Sequence, residues 1–101
     1  MNSTAIAAAV LRRPTVLVGR VVAVAVYVRP WVRLHVELSD GTGTITLRFL
    51  GRTEISGVVH GVHLRVEGTP SKEGDAIIML NPLYGFADDD VQSESASIIS
   101  W

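Results

Sequence analysis

The sequence predicts an all-β domain of five strands closed into a barrel, and three observations lead there. The first is valine, fifteen of 101 residues, a β-branched excess that suits a pleated, half-buried surface. The second is alternation: in Val32-Arg33-Leu34-His35-Val36-Glu37-Leu38 and in Thr44-Ile45-Thr46-Leu47-Arg48-Phe49-Leu50 apolar and polar side chains take turns. That is the period of a strand with one buried face and one wet face. The third is the lack of any long helical pattern, which leaves sheet edges that closure would hide. A chain this short holds one core and has no room for a second.

Residues 1–14 form an N-terminal segment. Its short run Ala5-Ile6-Ala7-Ala8-Ala9-Val10-Leu11 precedes Arg12 and Arg13, the reverse of a signal peptide's order. No stretch reaches membrane-spanning length. Ser3 or Thr4 caps a short alanine-rich helix that Pro14 ends, or else the segment frays, because so short a helix is marginal alone. Val16 to Val28 is the first strand, with Gly19 marking a bulge or bend. Beyond Gly19 both alternate sets are small or apolar (Val22, Val24, Val26 and Val28 against Val21, Ala23, Ala25 and Tyr27), so the set facing the core stays open.

An Arg29-Pro30-Trp31 corner leads into the second strand, and Ser39-Asp40-Gly41-Thr42-Gly43 turns it into the third. Pairing Leu38 with Ile45 places Val36 opposite Leu47 and His35 opposite Arg48, and a one-residue slip would turn every apolar side chain outward. Gly51 to Gly61 leaves room for a short helical turn at Thr53-Glu54-Ile55-Ser56, capped by Thr53 and stopped by Gly57. Val62 to Glu67 alternates again as a fourth strand, Thr69 to Gly74 reads as a loop, and Asp75 to Asn81 reads as a fifth strand closed by Pro82. Residues 15–86 make the domain. Residues 87–101, acidic, serine-rich and ending in Ile98-Ile99-Ser100-Trp101, make a flexible tail.

Three strands, a short helical turn and two further strands is the order of the five-stranded Greek-key barrel, the OB-fold. Val18-Gly19-Arg20-Val21, Leu38-Ser39-Asp40-Gly41-Thr42-Gly43-Thr44-Ile45 and Leu64-Arg65-Val66-Glu67-Gly68 resemble one OB-fold group. It includes the anticodon-binding domains of class II aminoacyl-tRNA synthetases, the wedge domain of a bacterial branch-migrating helicase and small free-standing bacterial proteins. The resemblance spans roughly residues 15–82 and implies a nucleic-acid-binding barrel in a bacterial cytoplasm. The sequence departs from many such barrels in carrying no ring on the outward positions of strands two and three.

A net charge of −1 conceals an asymmetry: all nine Lys and Arg lie within residues 1–87, where six acids leave +3, and four acids in the last fourteen residues give −4. That is a mildly basic body, not the strong excess of a duplex-DNA binder. No cysteine is present, which rules out disulfides and thiolate chemistry and suits a cytoplasmic protein.

Asp40-Gly41-Thr42-Gly43 is followed by a strand rather than a helix, so it reads as a turn and not a phosphate loop. His35, His60 and His63 lack the spacing and companions of a metal site, and no cofactor is expected. No nucleophile lies near a base, and an enzyme is not expected. The outward face of strands two and three is different. It carries Arg33, His35 and Arg48, framed by Arg29 and Trp31 in one loop, Lys72 in another, and Arg52 just past strand three. Such cations neutralise phosphates, while Trp31 and Tyr27 are rings on which a base stacks. The plain alternative is that outward arginines pair with Glu37 for solubility and that Trp31 packs on the barrel end. The sequence therefore predicts a binder of single-stranded DNA or RNA with low sequence specificity. A second reading is a protein-interaction module using its strand face or its tail, which resembles the partner-docking tails of single-strand-binding proteins.

Overall fold

The structure, a computed structural model, describes residues 3–87. Among these residues seven strands form one sheet: β1 Thr15–Tyr27, β2 Arg33–Ser39, β3 Thr44–Leu50, β4 His63–Gly68, β5 Pro70–Glu73, β6 Ala76–Leu80 and β7 Leu83–Ala87. Their hydrogen-bonded order is β5-β6-β3-β2-β1-β4-β7. The expected closed barrel of five strands is thereby corrected to a seven-stranded mixed sheet. The extra strands come from two interruptions. β5 resumes after Thr69, where a loop was expected, and β7 resumes after Asn81-Pro82, where proline has no N–H to give a ladder. The β5–β6 and β4–β7 pairs are two pieces of one antiparallel hairpin, with Pro70 opposite Met79 and Glu67 opposite Leu83. Because β4 also pairs with β1 and β6 runs parallel to β3, the sheet curls back toward its own start.

The alternation does what its period requires. Leu34, Val36 and Leu38 of β2 and Ile45, Leu47 and Phe49 of β3 are buried, as are Leu17, Val21, Leu64, Val66 and Met79. Each such side chain contributes about 1.5–3 kcal/mol relative to exposure. The β2–β3 register is the expected one: Leu38 faces Ile45, Val36 faces Leu47 and His35 faces Arg48. Gly19 is explained by the approach of β2, since a Cβ there would sit 2.8 Å from the Ser39 carbonyl oxygen and 2.9 Å from Leu38 Cγ. β1 is irregular between Val21 and Ala23, and a bulge bends the strand that carries it. Its first half, Thr15 to Arg20, pairs with β4; from Arg20 onward it pairs with β2, which is its one ladder past Val21 among the described residues.

Two helical expectations need correction. The connection between β3 and β4 holds turns and no helix, and it buries Ile55 and Val58 under the sheet. Gly57 and Gly61 have φ of 81° and 98°, values that end a right-handed helix. The N-terminal segment makes only a 3₁₀ turn at Ile6–Ala8, without a side-chain cap from Ser3 or Thr4. Ile6 is buried in the core, which docks the segment. Of the tail expected at 87–101, Ala87 is the last residue of β7, and 88–101 lie outside the described residues.

Candidate nucleic-acid interface

Cross-strand register sets the outward face as rows. One row is Tyr27, Arg33 and Leu50; the next is Ala25, His35, Arg48 and Leu80. Neighbouring strands stand about 4.8 Å apart, so these side chains meet.

Arg33 lies over the Tyr27 ring, 4.7 Å from its centroid, within cation–π range. Its Nη1 donates to the carbonyl of Arg29 at 2.8 Å and to that of Trp31 at 3.2 Å, so it also pins the β1–β2 corner. Tyr27 and His35 rings are 4.6 Å apart. Arg48 donates from Nη2 to Glu73 Oε1 at 2.8 Å and from Nη1 to Oε2 at 3.2 Å. This fork-on pairing is specific in geometry, but Glu73 is 61% exposed and water screens it.

These neighbours set the titration of the cluster. Partial burial, and then the positive charges of Arg48 and Arg33, hold His35 below its ordinary value, with Glu73 opposing them. Hydrogen bonding to Glu73 lifts Arg48 above its usual range, and the same bond holds the Glu73 carboxyl below the usual carboxylate range. Two buried nitrogens, His35 Nε2 and Arg48 Nε, have no hydrogen-bond partner among the described residues. Such groups cost free energy until something satisfies them.

Beside the cluster is a hollow of about 330 Å³. Pro30, Trp31, Leu50 and Leu80 form its apolar walls, while Arg33, Arg48 and Glu73 supply its polar side. Trp31 is 60% exposed at the rim. A smaller hollow of about 90 Å³ lies on the other side of Tyr27 and His35, over Ala23 and Ala25.

The structure thus brings together Tyr27, Trp31, Arg33, His35 and Arg48. Arg29 contributes its carbonyl to the cluster, and its side chain is exposed. Arg52 follows Gly51 beyond the end of β3 and has no polar contact with the cluster among the described residues. Lys72 alternates with Glu73 on β5 and so leaves from the opposite face. Glu73 escaped the sequence reading because Ser71-Lys72-Glu73 has no apolar alternation to mark a strand. The partner expected for the arginines, Glu37, lines the smaller hollow instead. No group of three His, Cys, Asp or Glu is placed to hold a metal among the described residues.

A three-stranded meander followed by a strand parallel to its third member, with a long bent hairpin returning to β1, defines the OB type of fold. The comparison with solved structures agrees. The chain is similar to a chain of the replication protein A heterotrimer solved bound to single-stranded DNA, with a TM-score of 0.62 and 19% identity over 95% of this chain and 74% of that one. It is also similar to a chain of the S. pombe Stn1–Ten1 complex, with a TM-score of 0.61 and 15% identity over 87% of this chain and 67% of that one. At these identities the likeness is one of fold. No family model and no curated protein matches the sequence.

Proposed function

We propose that the outward face of β1, β2 and β3 binds single-stranded DNA or RNA with low sequence specificity. The observation that carries this reading is the convergence of Arg33, His35 and Arg48 beside a Trp31-walled hollow, with two buried nitrogens that have no partner among the described residues. Phosphates would meet Arg48, Arg29 and Arg52. Trp31 and Tyr27 would stack bases, and His35 would give a hydrogen bond. The structural neighbour solved with single-stranded DNA supports the reading. No catalytic role, cofactor or membrane is part of it, and the proposed compartment is the cytoplasm. No described helix is long and apolar enough to cross a membrane.

Fluorescence anisotropy with labelled oligonucleotides at low salt tests this. Trp31→Ala should weaken binding by about 1–3 kcal/mol, the worth of one stacked base. The double change Arg48→Gln with Glu73→Gln removes the cation without stranding a carboxylate, and should bind more weakly than Glu73→Gln alone, in which Arg48 is free. Wild-type protein that binds no oligonucleotide at low salt would end the proposal in favour of a protein partner.

A further inference from the structure

The distal half of β1 is built unlike the rest of the sheet. Pairing with β4 stops at Arg20 opposite His63, and the Val21 N–H and carbonyl are taken by Val62 and Gly61. From Val22 to Tyr27 only the β2 side has a partner strand among the described residues. The other edge is a row of backbone donors and acceptors. Soluble proteins blunt such edges with charge or proline, yet Val21-Val22-Ala23-Val24-Ala25-Val26-Tyr27-Val28 contains neither.

The side chains are as uncovered as the backbone. Val24 and Val26 share the core side with their partners Val36 and Leu34, which are 0% and 1% exposed, but are themselves 42% and 47% exposed. Val28 is 60% exposed. The core face of the strand therefore continues past the core.

The residues of this edge also form a palindrome, Val22-Ala23-Val24-Ala25-Val26. Antiparallel pairing with its own copy about a two-fold axis at Val24 sets valine against valine on one face and alanine against alanine on the other. An isologous interface requires such self-complementarity, and Arg20 then faces Val28 of the copy rather than another cation. We propose that this edge is a homodimer interface in which β1 of two chains pair antiparallel, centred on Val24. The two sheets become one, and the valines of both copies cover each other. Both cationic clusters then lie on the same side of the joined sheet, which lengthens any strand-binding surface.

Sedimentation velocity on the full chain without oligonucleotide, up to about 200 μM, tests this independently of the proposed ligand. An edge contact this small lies at the weak end of specific interfaces, so the 10.9 kDa chain should pass from monomer to dimer as concentration rises. Val24→Lys and Val24→Glu should each stay monomeric, because the axis sets like charges against each other. Mixing the two should restore a dimer, which misfolded chains would not do. Val26→Lys should weaken association without allowing that rescue with itself. Removal of residues 88–101 should leave the dimer intact. A wild-type monomer at the highest concentration, dimers that survive both Val24 variants, or a dimer lost with residues 88–101 would overturn the proposal.

Discussion

Glu73 decides how much of the cationic face a ligand finds available. Arg48 already spends both terminal nitrogens on that carboxylate, so a phosphate reaching Arg48 must displace an anion that resembles it. Glu73→Gln should therefore tighten oligonucleotide binding several-fold at low salt, as read by anisotropy. Unchanged or weaker binding would show that the ligand does not touch Arg48. His35 adds a pH dependence whose two signs oppose each other. Its native pKa lies below the ordinary imidazole value because of burial, Arg48 and Arg33. The unfolded chain thus takes a proton more readily, and His35's contribution to stability is full above about pH 6.5 and falls as pH drops below it. A bound phosphate favours the charged ring, so affinity should rise as stability falls over that range. His35→Gln should flatten both profiles, one measured by anisotropy and one by urea denaturation. The outward placement of Arg33, His35 and Arg48 was legible from alternation alone. Their acidic partner was not, because a polar strand leaves no periodic trace.

At the scale of elements, the turn between β2 and β3 does more than reverse the chain. The Asp40 carboxylate accepts from the N–H of Thr42 at 2.9 Å, of Gly43 at 3.3 Å and of Ile6 at 2.8 Å, and from the Thr42 hydroxyl at 2.6 Å. One side chain thus organises the turn and ties the N-terminal segment across it. Burial works against the charged form, but the hydrogen bonds from Thr42, Ile6 and Gly43 outweigh it and hold Asp40 below its ordinary value. This contribution is present above about pH 4 and lost as pH falls through the lower native value. Asp40→Ala should cost about 1–2 kcal/mol, the lower part of the range for bonds to a charged group because the site is partly wet. Urea denaturation at pH 7 checks this, and a loss below half a kilocalorie would mean that water replaces those bonds. The sequence marked this stretch as a turn and set the β2–β3 register correctly. It did not show the link to Ile6, which spans 34 residues, and local pattern carries no information about contacts so remote. In place of the helical turn expected after β3, the Val58 N–H donates to the Ile55 carbonyl in a tight turn that buries both side chains, and Gly57 is left-handed as a terminator would be.

At the scale of the whole molecule, the all-β class was legible because burial has a period, the seven-strand count was not because β5 and β7 lack one, and ligand class has none. The body's excess of +3 up to residue 87 is small, so affinity rests on how many of its cations reach phosphate at once. Salt counts them. For single strands the logarithm of the binding constant falls with the logarithm of salt by about 0.7 per phosphate neutralised. If Arg29, Arg33, Arg48 and Arg52 all engage, the slope is about −2.8, and binding weakens about fifty-fold between 50 and 200 mM salt. If Arg33 keeps its loop carbonyls and Arg48 keeps Glu73, two cations remain and the slope is about −1.4, a loss of about seven-fold. The shallower slope is expected for the wild type, and one of about −2.1, three cations, for the Glu73→Gln chain, because removing the carboxylate frees Arg48 while Arg33 keeps its loop carbonyls. Titrations of both proteins across that salt range would read the difference. Parallel slopes would mean that phosphate does not reach Arg48 even when it is freed, and that the strand runs over Trp31 and the corner instead.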